Sequence, residues 1–191
     1  MLTVLVIDES RSRAGEICAG LALAGYQVAA ILAGSKNLTA EVEKLQPDVI
    51  LIDTDSPSRD TLENLAAMHK DMPRPVVIFT QEDGQATIRD AVRAGVSAYV
   101  VDGLDPKRIK PIVEVARARF EDTQALRREL DEISQKLSDR KLVDKAKGVL
   151  MKARGLDEDA AYHAMRKLAM ERGQTMAKVA RDVIDMARVL L

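Results

Sequence analysis

The chain has 191 residues, one cysteine and 29 Lys and Arg against 30 Asp and Glu, so its net charge is −1. That length suits one full domain and a smaller second one, and the lone Cys18 excludes an internal disulfide. The charge is uneven: residues 140–191 carry twelve Lys and Arg against seven Asp and Glu, and residues 1–139 carry seventeen against twenty-three, so a polyanion suits the C-terminal part.

The opening run Met1–Asp8 reads as a buried strand, with no basic leader and no cleavage site. Five strands are expected, at 3–8, 26–32, 48–53, 75–80 and 98–101. Helical patterns lie between them near 11–24, 37–45, 58–71 and 84–94. Alternating β and α elements imply a parallel sheet covered by helices on both faces. Gly25, Pro47, Pro73, Pro75 and Gly95 fall at the element ends, where such residues punctuate. Cys18 reads as a small buried hydrophobe of the first helix. The longest apolar stretch, 21–34, is interrupted by Gly25, Tyr26 and Gln27 and is too short to span a bilayer. No membrane partner and a cytoplasmic location are therefore expected.

From Asp105 the pattern changes. Asp105 can cap a helix whose first residue is Pro106. A 3-4 spacing then runs through Ile109, Ile112, Ala116, Arg119, Thr123, Leu126, Leu130, Ile133 and Leu137. One heptad register of this kind predicts a long helix, first part of the α/β domain and then a parallel coiled coil. At ~1.5 Å per residue, 105–138 would reach about 50 Å. A seam of Leu126, Leu130, Ile133 and Leu137 left in water is unfavourable, so a homodimer is expected.

Residues 139–191 read as three short helices. Gly155 ends the first and Asp157 caps the second; Gly173 ends the second and Thr175 caps the third. The expected apolar faces are Leu142/Ala146/Val149/Leu150/Ala153, Ala161/Ala164/Met165/Leu168/Ala169 and Val179/Ala180/Val183/Met186/Ala187/Leu190. So many alanines demand close packing. Ser138 either caps the first of these helices or lies inside a helix continuing from the coiled coil.

In an open α/β sheet, function gathers at the C-terminal ends of the strands. Those ends carry Asp8 and Glu9, then Asp53, then Thr80. Three converging carboxylates there could hold Mg²⁺ through oxygen ligands, and Asp53 could accept a phosphoryl group as an acyl phosphate. Otherwise no cofactor is expected, and no nucleophile–base pair elsewhere points to an enzyme. Two histidines and one cysteine make no transition-metal set. Residues 1–120 resemble the receiver domains of response regulators. The resemblance implies Asp8 and Glu9 as the acidic pair, Asp53 as phosphoacceptor, Thr80 as switch hydroxyl and Tyr99 as switch aromatic. Receivers place a Lys three residues beyond that aromatic, and here the position is Asp102, followed by Gly103. A negative charge there repels a dianionic phosphoryl group. Asp53 is thus either a phosphorylation site or part of a retained fold that no longer signals, and Asp102 favours the second.

The first helix of 139–191 carries Arg140, Lys141, Lys145, Gly148 and Lys152 opposite its apolar stripe, with Lys147 at the edge. For the lysines alone, a solvated face is the simpler reading. Gly148 changes the balance, because Gly inside an exposed helix costs about 1 kcal/mol relative to Ala. Close approach of a phosphate backbone to a glycine flanked by cations would compensate, so Arg140, Lys141, Lys145, Lys147, Gly148 and Lys152 are the expected nucleic-acid-binding residues. Lys145–Met151, Leu156–Tyr162, Leu168–Met170 and Val179-Ala180 resemble, in order and spacing, the pattern of the ANTAR family of RNA-binding antitermination modules. The family's recurrent alanines map to Ala146, Ala161, Ala169 and Ala180. The resemblance implies binding to paired hairpins in leader mRNA, which favours an antiterminator over a terminator. The receiver–coiled coil–ANTAR order is most similar to the nitrate-responsive NasT-type antiterminators. That similarity implies a NasS-like nitrate/nitrite sensor protein as partner.

The expected fold class is therefore a flavodoxin-like α/β receiver with a five-stranded parallel sheet, then a long coiled-coil helix and a small all-α three-helix domain. The expected divisions are 1–120, 105–138 and 139–191. Tyr162 suits packing at a helix edge and base contact equally, and His163 reads as a surface residue. The alternative is a phosphorylation-controlled, DNA-binding response regulator, since helix–Gly173-Gln-Thr175–helix has helix-turn-helix length. Against it, 176–190 sets Lys178, Arg181 and Arg188 beside Asp182 and Asp185 and lacks base-reading Asn, Gln and Ser. A third alternative is a protein-interaction switch whose tail only dimerises or docks, which leaves Gly148 unaccounted for.

Overall fold

The computed structural model describes residues 1–9, 14–101 and 105–190. Five strands, β1 (Thr3–Asp8), β2 (Gln27–Leu32), β3 (Val49–Asp53), β4 (Val76–Thr80) and β5 (Ala98–Val101), alternate with α1 (Ala14–Leu23), α2 (Leu38–Leu45), α3 (Arg59–Asp71) and α4 (Gln85–Arg93). The sheet is wholly parallel, in the order β2-β1-β3-β4-β5. Three helices follow: α5 (Pro106–Arg154), α6 (Glu158–Arg172) and α7 (Met176–Leu190). The chain divides into two compact units, 1–124 and 125–191, and α5 supplies residues to both.

The strands of the first unit are aliphatic on both sides because both faces are covered. Alternate residues serve opposite faces. Leu5, Ile7, Ile50, Ile52, Val76 and Ile78 pack with Leu38 and Val42 of α2, Leu65 and Met68 of α3 and Ala91 of α4. Val4, Val6, Val49, Leu51, Val77 and Phe79 pack with Ile17 and Leu21 of α1 and with Ile109, Val113 and Ala116 of α5. The Tyr26 hydroxyl donates to Glu114 at 2.8 Å, tying the start of β2 to α5. Burial and the Glu114 carboxylate push the Tyr26 phenol up to about 12.

The expected strands and helices fall within a few residues of the observed ones. Of the predicted helix 11–24, residues 11–13 lie outside the described residues. Two turns lay beyond sequence reading. Asn37 and Gln46, which bracket α2, both take left-handed backbone conformations, with φ of 60° and 45°. Such conformations are uncommon without glycine, although Asn tolerates them best.

The heptad register serves two purposes. Ile109 and Ala116 are fully buried in the first unit. In the second unit, Leu126, Leu130, Ile133 and Leu137 are 62%, 65%, 55% and 53% exposed. Between them Thr123 turns its hydroxyl back to the Arg119 carbonyl at 2.8 Å. Ser138 lies inside α5, so the first of the three expected C-terminal helices is the end of the long helix.

Within the second unit, Gly155 and Gly173 take φ of +66° and +59° at the two helix ends. Asp157 accepts from Ala160 N at 2.7 Å, and Thr175 accepts from Lys178 N at 3.2 Å, so both expected caps form. Ala146, Met165, Ala169, Val179, Ala180 and Ile184 make the core. All three helix faces differ from expectation at one position or more. Ile184 is buried where Met186 was expected, and Met186 is exposed. Ala153 and Ala164 are also exposed. The α7 stripe runs 176, 179/180, 183/184 and 187; it keeps Val179, Ala180, Val183 and Ala187 of the predicted face and replaces Met186 by Ile184.

Candidate functional site

The strand ends bring Asp8 and Asp53 side by side, in register across the β1–β3 pair, and both are almost wholly buried. Glu9 donates its backbone N–H to the Asp53 carbonyl at 3.1 Å. Its carboxylate instead turns to α3, where it accepts from the Thr61 hydroxyl at 2.8 Å. Ser58, which caps α3 by accepting from Thr61 N at 3.1 Å, holds that threonine in place. Among the described residues, no group of three His, Cys, Asp or Glu is arranged to hold a metal ion. Of the expected Mg²⁺ set of Asp8, Glu9 and Asp53, Asp8 and Asp53 stand side by side, and the Glu9 carboxylate is engaged by Thr61.

Thr80 is fully buried at the end of β4; its hydroxyl donates to the Asp55 carbonyl at 2.8 Å and accepts from Glu82 N at 3.2 Å. Tyr99 donates its hydroxyl to the Glu82 carbonyl at 2.9 Å, and burial raises the pKa of its phenol. Thr80 and Tyr99 thus fasten the same loop, 81–84. The residue that set this site apart in sequence, Asp102, lies outside the described residues.

The second site lies on the C-terminal stretch of α5. Arg140, Lys141, Lys145 and Lys152 are exposed, and Lys141, Lys145 and Lys152 form no ion pair among the described residues. At 3.6 residues per turn, Lys141, Lys145, Gly148 and Lys152 stand in one row. A Cβ built on Gly148 meets nothing within 4 Å. Among the described residues, nothing therefore stands where a side chain at 148 would begin. Lys147 behaves differently from the row beside it. Its ammonium lies 2.8 Å from Asp144 and 2.7 Å from Glu158, with the side chain only 15% exposed. The i,i+3 spacing to Asp144 was visible in sequence, whereas the approach of Glu158 from α6 was not.

The helix-turn-helix alternative fares less well. On α7, Lys178 pairs with Asp182 at 3.3 Å and Arg188 with Asp185 at 3.7 Å, so two of its three cations are neutralised within their own helix. Tyr162 is 40% exposed and meets His163 edge-on, ring centroids 6.0 Å apart.

With this geometry in view, the model of the response regulator receiver domain matches residues 4–114, and that of the ANTAR domain matches residues 131–184. The chain belongs to the ANTAR-family response regulators. All four alanines mapped from the family pattern, Ala146, Ala161, Ala169 and Ala180, are buried in this ANTAR domain. The chain is similar to the transcriptional regulatory protein PdtaR of Mycobacterium tuberculosis, at 29% identity over 161 residues, 84% of this chain and 78% of that one. It is also similar to the nitrate regulatory protein of Klebsiella oxytoca, at 36% over 75 residues, 39% of this chain and 19% of that one. Among solved structures, a CheY-like receiver domain from Methanospirillum hungatei JF-1 superposes with a TM-score of 0.56 at 20% identity, over 64% of this chain and 98% of that one. That likeness shows the fold. No described helix is long and apolar enough to cross a membrane.

Proposed function

We propose that this chain is an RNA-binding transcription antitermination regulator which binds paired hairpins in leader mRNA and prevents a terminator from forming. The observation that carries the reading is Gly148. It stands in open space within a row of cations that form no ion pair among the described residues, in a helix interior where glycine costs about 1 kcal/mol relative to Ala. A phosphate backbone seated in that gap accounts for both the cations and the missing side chain. The proposed contact set is Arg140, Lys141, Lys145, Gly148 and Lys152. Two such domains, joined in a homodimer through Leu126, Leu130, Ile133 and Leu137, would engage two hairpins at high effective concentration.

Control falls to a partner rather than to phosphorylation. Asp53 keeps its buried place beside Asp8, but Glu9 is engaged by Thr61 and the sequence puts Asp102 where receivers carry a lysine. The similarity to a protein named for nitrate regulation supports nitrate/nitrite assimilation genes as targets and a NasS-like sensor as the controlling partner. The proposed role is cytoplasmic and non-enzymatic.

The test is Gly148→Leu, read by filter binding to a tandem-hairpin RNA and by thermal unfolding. Binding should be lost while stability holds or rises by up to about 1 kcal/mol, because leucine favours helix and its Cβ meets nothing within 4 Å. Undiminished binding would refute the close approach.

A further inference from the structure

Lys147 is adjacent in sequence to the buried Ala146 and to Gly148, yet its charge is consumed inside the domain. Its two partners come from different elements. Asp144 precedes it by one turn of α5, whereas Glu158 opens the first turn of α6. The three charges sum to −1, so this corner is not part of the cationic surface. The hydrogen bonds to Asp144 and Glu158 raise the Lys147 pKa, and the same ammonium lowers that of Asp144. Lys147 and Asp144 therefore both stay ionised over the whole neutral range.

The surrounding packing gives such a contact a purpose. Helix pairs find their register by fitting side-chain ridges into grooves. Here four of the seven buried residues offer only a methyl group: Ala146 on α5, Ala161 and Ala169 on α6 and Ala180 on α7, beside Met165, Val179 and Ile184. Alanines permit close approach but offer shallow ridges. Only Gly155, Leu156 and Asp157 join α5 to α6, with Gly155 at φ +66°. A directional bond beside Ala146 can supply what the methyl groups leave unfixed. An exposed ion pair contributes little, but Lys147 is largely covered and meets two carboxylates at once. To reach an RNA phosphate it would have to release both.

We infer that Lys147 is a positioning residue: through Glu158 it fixes α6 against the C-terminal stretch of α5, leaving the RNA phosphates to Lys141, Lys145 and Lys152. The inference rests on the RNA-binding reading for its second half only.

The sign of one substitution separates the two roles. Glu158→Gln removes an anion. If Lys147 contacted phosphate, freeing it should tighten RNA binding and steepen its salt dependence. If Lys147 positions α6, the same substitution weakens binding although the domain has become more positive. The probe is a tandem-hairpin RNA recovered by selection against the wild-type full-length protein. Glu158→Gln should bind about threefold or more weakly, and Lys147→Glu about tenfold or more weakly. The charge exchange Lys147→Glu/Glu158→Lys should recover affinity to within about threefold of wild type, as expected for a coupled pair. Lys145→Glu should not be rescued by Glu158→Lys.

Unfolding followed by circular dichroism gives a readout that needs no RNA. Each single substitution should lower the midpoint, and the exchange should restore most of the loss. Unchanged or tighter binding by Glu158→Gln overturns the inference. So does an exchange that restores the midpoint but leaves RNA binding as weak as in Lys147→Glu. A wild-type chain that selects no RNA defeats the proposed function instead, and the unfolding arm alone then decides whether the clamp exists.

Discussion

The two compact units are built from opposite materials. The first buries Leu, Ile, Val and Phe from five strands against helices on both sides. The second closes three helices around four alanines, one methionine, one valine and one isoleucine, with Leu142, Val143, Leu150, Leu168, Met176 and Val183 partly buried around them. A large aliphatic core specifies its fold with room to spare, so the polar groups at its rim can change without loss of the fold. The Glu9 carboxylate turned toward Thr61 is one such rim group, and the sequence itself departs from the receiver pattern at Asp102. An alanine core has no such reserve. It depends on caps at Asp157 and Thr175, on glycine stops at 155 and 173, and on the Lys147 clamp. Yet the unit with the thinner core carries the exposed cations and the open glycine. Under the proposed function the large domain is the platform and the small one the reader.

That contrast can be broken in both cores at once. Ile78→Ala should cost about 2–5 kcal/mol in the first unit, through lost burial and the cavity left behind. Ala146→Leu should cost about 1–3 kcal/mol in the second, by overpacking. Denaturant unfolding followed by circular dichroism should place the two losses in different transitions. A single shared transition for both would show that the two units do not unfold separately.

The next largest effect is expected on the exposed seam. Leu130→Asp should turn a dimer into a monomer in analytical ultracentrifugation and weaken tandem-hairpin binding by roughly 10–100-fold, since linkage of two sites is lost. A chain that is already monomeric before substitution would remove the seam from the account.

Smaller again is the loss of one surface cation. Lys145→Ala or Lys152→Ala should weaken RNA binding several-fold. Each should also flatten the slope of log affinity against log salt by roughly 0.7–0.9. An unchanged slope would place the phosphates elsewhere. The smallest expected effect is at Asp53. Asp53→Asn should leave RNA binding and antitermination in a reporter strain almost unaltered. A large loss would restore phosphorylation as the switch and make the first unit more than a platform.

Sequence was most informative where one pattern had one physical meaning. Apolar runs bounded by Gly and Pro gave the strands, because a doubly covered parallel strand has no polar face to confuse the reading. Gly173 and Asp157 marked α6 because left-handed stops and side-chain caps are local. The misses were contacts between elements. Glu9 meeting Thr61 depends on how α3 docks, and Glu158 meeting Lys147 depends on how α6 docks. Ile184 and Met186 are two residues apart on an apolar helix, and composition alone does not say which of them faces inward. Gly148 was singled out in sequence by its cost, and the structure adds that the space beside it is open.

The central claim is that the cationic row of α5 reads RNA. The most direct measurement is a salt-titrated competition among three probes: tandem hairpins enriched from a random-loop library, the same hairpins with scrambled loops, and duplex DNA of equal length. The account predicts tight binding to the enriched pair, much weaker binding to the scrambled loops, and DNA binding that disappears at moderate salt. Equal binding to all three, or preference for the duplex, would contradict it and return the DNA-binding alternative to first place.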